Sequence, residues 1–223
     1  MIKAVAIDID GTLTDELQRF DLEAVQKVKE IEARGVPVIL ATGNILCMTE
    51  SAARFIGTSG CLIAENGGII KNIESDETFY LGDSAKAEKA FKFLSKKLKV
   101  QKVRRSELRK TEIAIYRTVD AEEIKKLLRD FDVEVVDTKF AIHIKDPNVS
   151  KGKALLKVAE IMGIKPNKIA AIGDSENDRE MLECAGYAIS VGEEKLRSVS
   201  NFVTKETLGK GGREALEHVL KLL

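Results

Sequence analysis

Apolar and polar residues follow one another along the first eighty positions in a rhythm that predicts strands and helices in turn. Residues 2–7 form a short apolar run with β-branched side chains, which is typical of a buried strand. Residues 21–34 carry an apolar side chain at every third position, a spacing that predicts a helix. Apolar runs at 36–41 and 61–64 flank a second predicted helix at about 46–56. This alternation predicts an α/β fold in which helices cover a parallel sheet.

The pattern changes after about residue 82, where a Lys-rich amphipathic helix precedes segments of alternating polarity. The predicted elements are a helix, a half-exposed strand, a second helix and two strands, at residues 85–98, 111–118, 121–131, 133–136 and 140–144. The last two strands are close enough to pair as a hairpin around residues 137–139. We therefore predict a small α+β domain over residues 83–148, inserted into an α/β domain formed by residues 1–82 and 149–223.

The α/β rhythm resumes after the insert. The predicted elements are a helix, a strand, a helix, a strand and a closing helix, at residues 151–162, 169–172, 179–185, 187–191 and 213–223. Several of the predicted strands end in polar loops. Because the carboxyl ends of parallel strands share one edge of a sheet, these loops are expected to converge where such sheets bind their ligands.

Two carboxylates follow the first predicted strand, where a buried strand has no structural use for them. Asp8 and Asp10 are two residues apart, so both side chains point to the same side of an extended chain. Like charges held this close repel each other, and a bound cation or a shared proton relieves the repulsion. Gly11 lets the backbone turn away and approach a ligand closely. We interpret this stretch as a metal-assisted phosphoryl-transfer site.

Further polar groups stand at the other strand and helix ends, and they are Thr42-Gly43-Asn44, Lys151 and Gly173-Asp174 with Asn177-Asp178. Together with the first loop they offer oxygen ligands and no clustered His or Cys, which suits Mg²⁺. A carboxylate nucleophile that forms an aspartyl-phosphate is a recognised route for phosphoryl transfer. A second carboxylate nearby can protonate the leaving oxygen and then activate water.

This motif set resembles that of the haloacid dehalogenase superfamily. The resembling motifs are Asp-x-Asp-Gly-Thr at 8–12, Thr-Gly-Asn at 42–44, the lone Lys151 and Gly-Asp-x-x-Asn-Asp at 173–178. The resemblance covers residues 1–82 and 149–223 and implies a Rossmann-like core with a parallel sheet. It also implies a Mg²⁺ cofactor, with Asp8 as the nucleophile and Asp10 as the general acid and base. It implies Thr42 and Lys151 as further catalytic residues. The implied metal contacts are Asp8, the backbone carbonyl of Asp10, Asp174 and Asp178, and the implied substrate contacts are Thr42, Gly43, Asn44, Lys151 and Asn177.

The position of the insert indicates which branch of the superfamily the chain resembles. An insert between the second and third motifs is similar to the C2 type of cap, which Cof-like sugar phosphatases share, and Glu65-Asn66-Gly67-Gly68 also resembles that branch. A cap this short most resembles that of the archaeal phosphoglycolate phosphatases, which implies hydrolysis of 2-phosphoglycolate. A sugar-phosphate phosphatase or phosphomutase of the same branch is the enzyme alternative. A phospho-receiver signalling domain is the non-enzyme alternative, although Asp10 and the insert argue against it.

The composition of the chain limits the classes of molecule that it is expected to bind. The 223 residues carry 36 basic and 36 acidic side chains, and this balance argues against a nucleic-acid or anionic-membrane binder. Cys47, Cys61 and Cys184 are scattered and lack zinc-site spacing, and no apolar run approaches the roughly 20 residues of a membrane span. We expect a soluble, cytoplasmic protein that acts on a small phosphorylated metabolite, as a monomer or a homodimer.

Three other features receive no functional role at this stage. His143 lies in an alternating run and is predicted to need no special task in a half-exposed strand. Gly209–Gly212 lacks the spacing of a phosphate-binding P-loop. A basic segment is predicted to be a solvated loop, with bidentate recognition of a substrate carboxylate as the alternative, and it contains Arg104, Arg105, Arg109 and Lys110.

Overall fold

A computed structural model describes residues 1–138, 140–192 and 194–223 of the chain. The strands are β1 Ala4–Asp8, β2 Val38–Ala41, β3 Leu62–Ala64, β4 Ile69–Lys71, β5 Thr78–Tyr80, β6 Glu112–Ile115, β7 Glu134–Asp137, β8 Ile142–Lys145, β9 Ile169–Gly173, β10 Tyr187–Ser190 and β11 Phe202–Val203. The helices are α1 Leu22–Glu32, α2 Leu46–Ile56, α3 Ser84–Leu94, α4 Ala121–Leu127, α5 Lys151–Ile161, α6 Arg179–Cys184 and α7 Leu208–Leu222. None of these helices combines the length and apolarity that a membrane span requires.

Eight strands form the larger sheet, in the order β11-β10-β9-β1-β2-β3-β4-β5. The strands from β11 to β3 are parallel, and β4 and β5 add an antiparallel edge. Alternate residues of β1 face opposite sides, so Val5 packs with α1, α2 and α7 while Ala6 packs with α5 and α6. The predicted α/β fold with a parallel sheet is confirmed.

The register of the central strands determines where their loops meet. Asp8 at the end of β1 pairs with Ala41 at the end of β2, and Ile7 pairs with Ile172 near the end of β9. The residues that follow these three strands therefore leave the sheet at one edge. The edge carries the loops that begin at Ile9, Thr42 and Asp174.

The smaller sheet is antiparallel, in the order β6-β8-β7. Its isoleucines, among them Ile113 and Ile144, pack against α3 and α4. β7 and β8 form the predicted hairpin, and Lys139 in its connection lies outside the described residues. The sheet and its helices lie between Ser84 and Lys145, and the division into domains at residues 83 and 148 stays a prediction.

Two expectations need correction. The half-exposed strand predicted at 111–118 contains β6, whose four residues are all buried, while residues 116–118 are exposed. The isoleucines of β6 pack against α3 and α4, and Glu112 on its other face contacts Asn66, which follows β3 of the larger sheet. Helix α7 begins at Leu208, five residues earlier than predicted, since Gly209–Gly212 belongs to it. A methyl group on Gly212 would lie 1.8 Å from the Thr12 carbonyl oxygen, so glycine allows α7 to lie against the loop after β1.

Candidate active site

A cavity of about 380 Å³ lies between the loop edge of the larger sheet and the smaller sheet. Of the residues predicted from the sequence, those that line it are Asp8, Asp10, Gly43, Asn44, Lys151, Asp174 and Asn177. Thr42 and Asp178 are fully buried and contact the lining residues from behind. The structure therefore brings the predicted site residues together.

Lys151 is the charged centre of this edge. It is the first residue of α5, and its side chain is buried between two carboxylates. Its Nζ donates to Asp8 Oδ1 at 2.5 Å and to Asp178 Oδ1 at 2.7 Å. Burial by itself lowers the pKa of Lys151, but the Asp178 and Asp8 carboxylates outweigh it and raise the pKa above its ordinary value. Lys151 therefore stays protonated and holds the two acids apart.

Asp8 is left with one oxygen uncompensated. Its Oδ2 is buried and has no hydrogen-bond partner among the described residues, whereas Oδ1 is held by Lys151. Burial raises the pKa of Asp8 well above its ordinary value, and although Lys151 lowers it, the nearby carboxylates of Asp178, Asp174 and Asp10 raise it further. Negative charge at this position thus exceeds what the protein itself compensates.

The excess charge fits a divalent cation. Oxygens of Asp8, Asp174 and Asp178 lie within 4.8 Å of one another. Carboxylate oxygens are hard donors, and a set of three of them matches the ligand preference of Mg²⁺. Both oxygens of Asp178 also accept hydrogen bonds from protein groups, Oδ1 from Lys151 and Oδ2 from the loop that carries Asp174.

Asp178 organises the loop that carries Asp174. Its Oδ2 accepts from the N–H groups of Asp174 and Ser175 at 3.2 and 3.1 Å and from the Ser175 hydroxyl at 3.0 Å. Gly11 brings the first loop against this one, with φ of +97°, and a methyl group there would lie 2.5 Å from Asp174 Oδ2. The two loops can approach each other only because residue 11 has no side chain.

Asp10 sits on the other side of Asp8, half-buried at the cavity wall. Its Oδ2 accepts from the Thr42 hydroxyl at 2.9 Å, and its Oδ1 accepts from Gln18 Nε2 at 3.1 Å. The Thr42 hydroxyl also accepts from the Asn44 N–H at 2.9 Å. This chain of bonds fixes the Asp10 carboxylate and joins the loops that follow β1 and β2.

The opposite wall belongs to the smaller sheet and contains a second buried ion cluster. Glu112 is fully buried, and its Oε1 accepts from Arg109 Nη1 and from His143 Nδ1, the latter at 2.7 Å. Its Oε2 accepts from Asn66 Nδ2 at 2.7 Å. Burial raises the pKa of Glu112, but His143 and Arg109 outweigh burial and lower it to about 2.

Asn66 connects this cluster to the loop edge of the larger sheet. Besides donating to Glu112, it accepts at Oδ1 from Asn177 Nδ2 at 2.7 Å. The neighbouring Glu65 accepts from the Thr111 hydroxyl and N–H at 2.7 and 2.9 Å, and burial raises its pKa. The segment Glu65-Asn66-Gly67-Gly68, whose first two residues have positive φ, therefore joins the two sheets.

The sequence interpretation of this wall was wrong in two places. His143 was expected in a half-exposed strand, but it is 4% exposed and bonds to Glu112. Arg109 was assigned to a solvated loop, but its side chain is 7% exposed and its Nη1 donates to the Gly43 carbonyl at 2.9 Å. The alternation of residues 111–115 did place Glu112 on the face away from the isoleucines, and that was the available signal.

Comparison with known proteins gives one family. Two segments of the chain, residues 5–104 and 83–211, match the model of a family described as haloacid dehalogenase-like hydrolase. A phosphoglycolate phosphatase from Methanothermobacter thermautotrophicus is 46% identical over 221 residues, which cover 98% of this chain and 99% of the relative. A phosphoglycolate phosphatase from Methanosarcina mazei is 46% identical over 219 residues, which cover 96% and 95% of the two chains.

A solved structure gives the same fold. The crystal structure of a protein from Thermoplasma acidophilum superposes with a TM-score of 0.91 and covers 100% of both chains at 23% identity. At this identity the likeness concerns the fold alone, including the smaller sheet and its helices.

Proposed function

The chain belongs to the haloacid dehalogenase-like hydrolases, and we propose that it is a Mg²⁺-dependent phosphatase that converts 2-phosphoglycolate to glycolate and phosphate. It is a phosphoric monoester hydrolase by the names of its archaeal relatives, which match nearly its whole length. The proposal of a covalent mechanism rests mainly on one observation, the buried and unpartnered Asp8 Oδ2 in a cavity lined by acids and Lys151. An unsatisfied buried oxygen is costly unless a ligand completes it.

In the proposed reaction Asp8 Oδ2 attacks the phosphorus atom, and the bond from phosphorus to the ester oxygen breaks. Asp10 donates its proton to the departing oxygen. Water then attacks the aspartyl-phosphate, Asp10 takes up its proton, and cleavage of the phosphorus–Asp8 bond releases phosphate. Bound Mg²⁺, held by Asp8 and Asp174, would neutralise negative charge that develops on the transferring phosphoryl group.

The remaining residues position these groups. Lys151 holds Asp8 Oδ1 and leaves Oδ2 as the carboxylate oxygen without a hydrogen-bond partner among the described residues. Asp178 accepts hydrogen bonds from Lys151 and from the loop that carries Asp174. We therefore propose that it supports the metal site through these two neighbours. Thr42 orients Asp10, and Gly43, Asn44 and Asn177 line the space for the phosphoryl group. The start of helix α5 at Lys151 also suits an anion.

The size of the cavity favours a small substrate. At about 380 Å³ it is near the lower end of the range of ligand pockets, roughly 300–1,000 Å³. A phosphomutase would have to reorient a bisphosphorylated sugar within this volume, so we favour hydrolysis of a two-carbon ester.

Phosphate release from a panel of small esters, with Mg²⁺ and with EDTA, tests the proposal. We expect the highest kcat/KM for 2-phosphoglycolate and no turnover with EDTA. The Asp8→Asn variant, purified in the same way, controls for a contaminating phosphatase. A preference for sugar phosphates would favour the Cof-like alternative, and retention of phosphate without turnover of any ester would favour a receiver domain.

A further inference from the structure

We propose that Arg109 forms a carboxylate-binding subsite in the cavity, and that this subsite selects phosphate monoesters that carry a carboxylate close to the phosphate. The inference rests on the proposed phosphatase function and adds the residue that distinguishes substrates. Arg109 precedes β6 and is contributed by the part of the chain predicted to form the cap.

The guanidinium of Arg109 is held on one side only. Its Nη1 donates to the Gly43 carbonyl at 2.9 Å and also to Glu112 Oε1. Its Nε is buried and has no hydrogen-bond partner among the residues that the structure describes. The side chain is 93% buried, since only 7% of it is exposed. A buried N–H without an acceptor destabilises the protein, and an incoming oxygen would remove that cost.

The unused donors of Arg109 lie along one edge of its guanidinium group. The Nε–H and one Nη2–H are parallel and form the side edge of the guanidinium, whose spacing matches the two oxygens of a carboxylate. With Nη1 engaged, this edge is the one that no described residue uses. Glu112 fixes the plane of the guanidinium and is a positioning residue, because its oxygens already accept from Arg109, His143 and Asn66.

The location of Arg109 limits the length of the ligand. The Gly43 carbonyl, which Arg109 contacts, directly follows Thr42, and both Gly43 and Arg109 line the cavity that contains Asp8. Because Asp8 and Arg109 line one cavity of about 380 Å³, a ligand that reaches both with a phosphoryl group and a carboxylate would be a small molecule. 2-Phosphoglycolate has this form, whereas a sugar phosphate would place hydroxyl groups against the guanidinium.

The other cations at the cavity are less suited to the role. Lys151 is committed to Asp8 and Asp178, and Arg104 is exposed at the rim. His143 contacts Glu112 through Nδ1 and lacks the two parallel N–H groups of a guanidinium edge. Among the described lining residues, Arg109 is the buried guanidinium with an unused edge. Charge and shape therefore point to the same residue.

Steady-state kinetics with two esters of equal size test this assignment. The esters are 2-phosphoglycolate and 2-hydroxyethyl phosphate, which replaces the carboxylate by a CH₂OH group. In the Arg109→Lys variant, which keeps the charge and loses the fork, we expect kcat/KM for 2-phosphoglycolate to fall about 10- to 100-fold, mainly through KM. For 2-hydroxyethyl phosphate we expect a change of less than about 3-fold.

Arg105→Lys is the matched control, since Arg105 is exposed and does not line the cavity. It makes the same substitution four residues away and should leave both esters unaffected. An equal loss for both esters in Arg109→Lys would overturn the subsite and leave Arg109 only the role of joining the two sheets. Turnover of 2-hydroxyethyl phosphate with no turnover of 2-phosphoglycolate in the wild type would also overturn it, while the phosphatase function would stand.

Product inhibition of the wild type supplies a readout that needs no variant. Glycolate should inhibit hydrolysis of 2-hydroxyethyl phosphate at least 10-fold more strongly than ethylene glycol does, because only glycolate carries the carboxylate. Equal inhibition by the two compounds would contradict the subsite. If the wild type hydrolyses neither ester, the proposed function fails and the subsite fails with it.

Discussion

Two buried ion clusters face each other across the cavity, and they have opposite arrangements of charge. On the larger sheet, the Lys151 ammonium lies between the carboxylates of Asp8 and Asp178. On the smaller sheet, the Glu112 carboxylate lies between Arg109 and His143. Burial opposes ionisation in both clusters, but the pKa of Asp8 is raised and that of Glu112 is lowered to about 2.

The number of hydrogen-bond donors and positive charges beside each carboxylate explains why the two pKa values shift in opposite directions. Glu112 accepts hydrogen bonds at both oxygens from three side chains, two of which can carry positive charge. Asp8 shares a single ammonium with Asp178, has other acids beside it and leaves Oδ2 without a partner. A buried carboxylate with both oxygens paired stabilises the native arrangement, whereas one with an unpaired oxygen is suited to receive a ligand.

Replacing each carboxylate by the amide of the same shape is expected to give the largest difference between the two clusters in kcat and in stability. Asp8→Asn removes the proposed nucleophile, so we expect kcat to fall about 10⁴-fold or more. Because it also removes an undercompensated buried charge, the free energy of unfolding in metal-free buffer should stay the same or rise. Phosphate release and urea denaturation measure the two quantities.

Glu112→Gln is the matched substitution on the other wall. It leaves Arg109 without its buried partner, so we expect a loss of about 3–5 kcal/mol in the free energy of unfolding. The loss of kcat should be much smaller than in Asp8→Asn, because Glu112 makes no contact with the reacting atoms. Comparable losses of kcat in the two variants would remove the distinction between a reactive and a structural cluster.

The pH dependence of stability should have opposite signs for the two acids. The pKa of Glu112 lies below its unfolded value of 4.5, so its stabilisation is complete above that pH and is lost as the pH falls towards about 2. The change amounts to about 3 kcal/mol. The pKa of Asp8 lies above its unfolded value of 3.8, so its contribution is present below that pH and is lost as the pH rises through the raised pKa.

Urea denaturation in metal-free buffer between pH 2.5 and 7 checks these signs. The stability difference between wild type and Glu112→Gln should shrink on acidification. The difference between wild type and Asp8→Asn should turn against the wild type as the pH rises. Parallel curves for the three proteins would mean that neither carboxyl differs in pKa between the folded and unfolded states.

The catalytic edge could be anticipated from sequence because its information is local. Asp8 and Asp10 stand at the end of an apolar run, and the loops at Thr42 and Asp174 follow the next strands of one parallel sheet. The order and direction of parallel strands then bring these loops together without knowledge of any side-chain contact. The α/β fold follows from the same periodicity.

The opposite wall could not be anticipated in this way. Glu112 is 46 positions from Asn66 and 31 from His143, and these residues meet only when the smaller sheet covers the cavity. Alternation in a strand tells which residues share a face, but it does not tell whether a polar face meets water or another polar surface. His143 and Arg109 were therefore assigned to solvent, although both are buried.

The smallest expected effect is the stabilisation of the folded protein by Mg²⁺, and it sharpens the comparison without any turnover. Mg²⁺ at ten times its Kd should raise the free energy of unfolding by about 1.4 kcal/mol, because it binds only where the folded chain gathers the carboxylates. We expect this increase in Glu112→Gln as in the wild type, and a strongly reduced increase in Asp174→Asn, whose neutral amide is a weaker ligand.

Acidification that protonates Asp8 should diminish the effect of Mg²⁺ on the wild type, since a protonated carboxyl is a poor ligand. Thermal unfolding with and without Mg²⁺ measures all three proteins, and an undiminished increase in Asp174→Asn would place the cation elsewhere than at the undercompensated cluster.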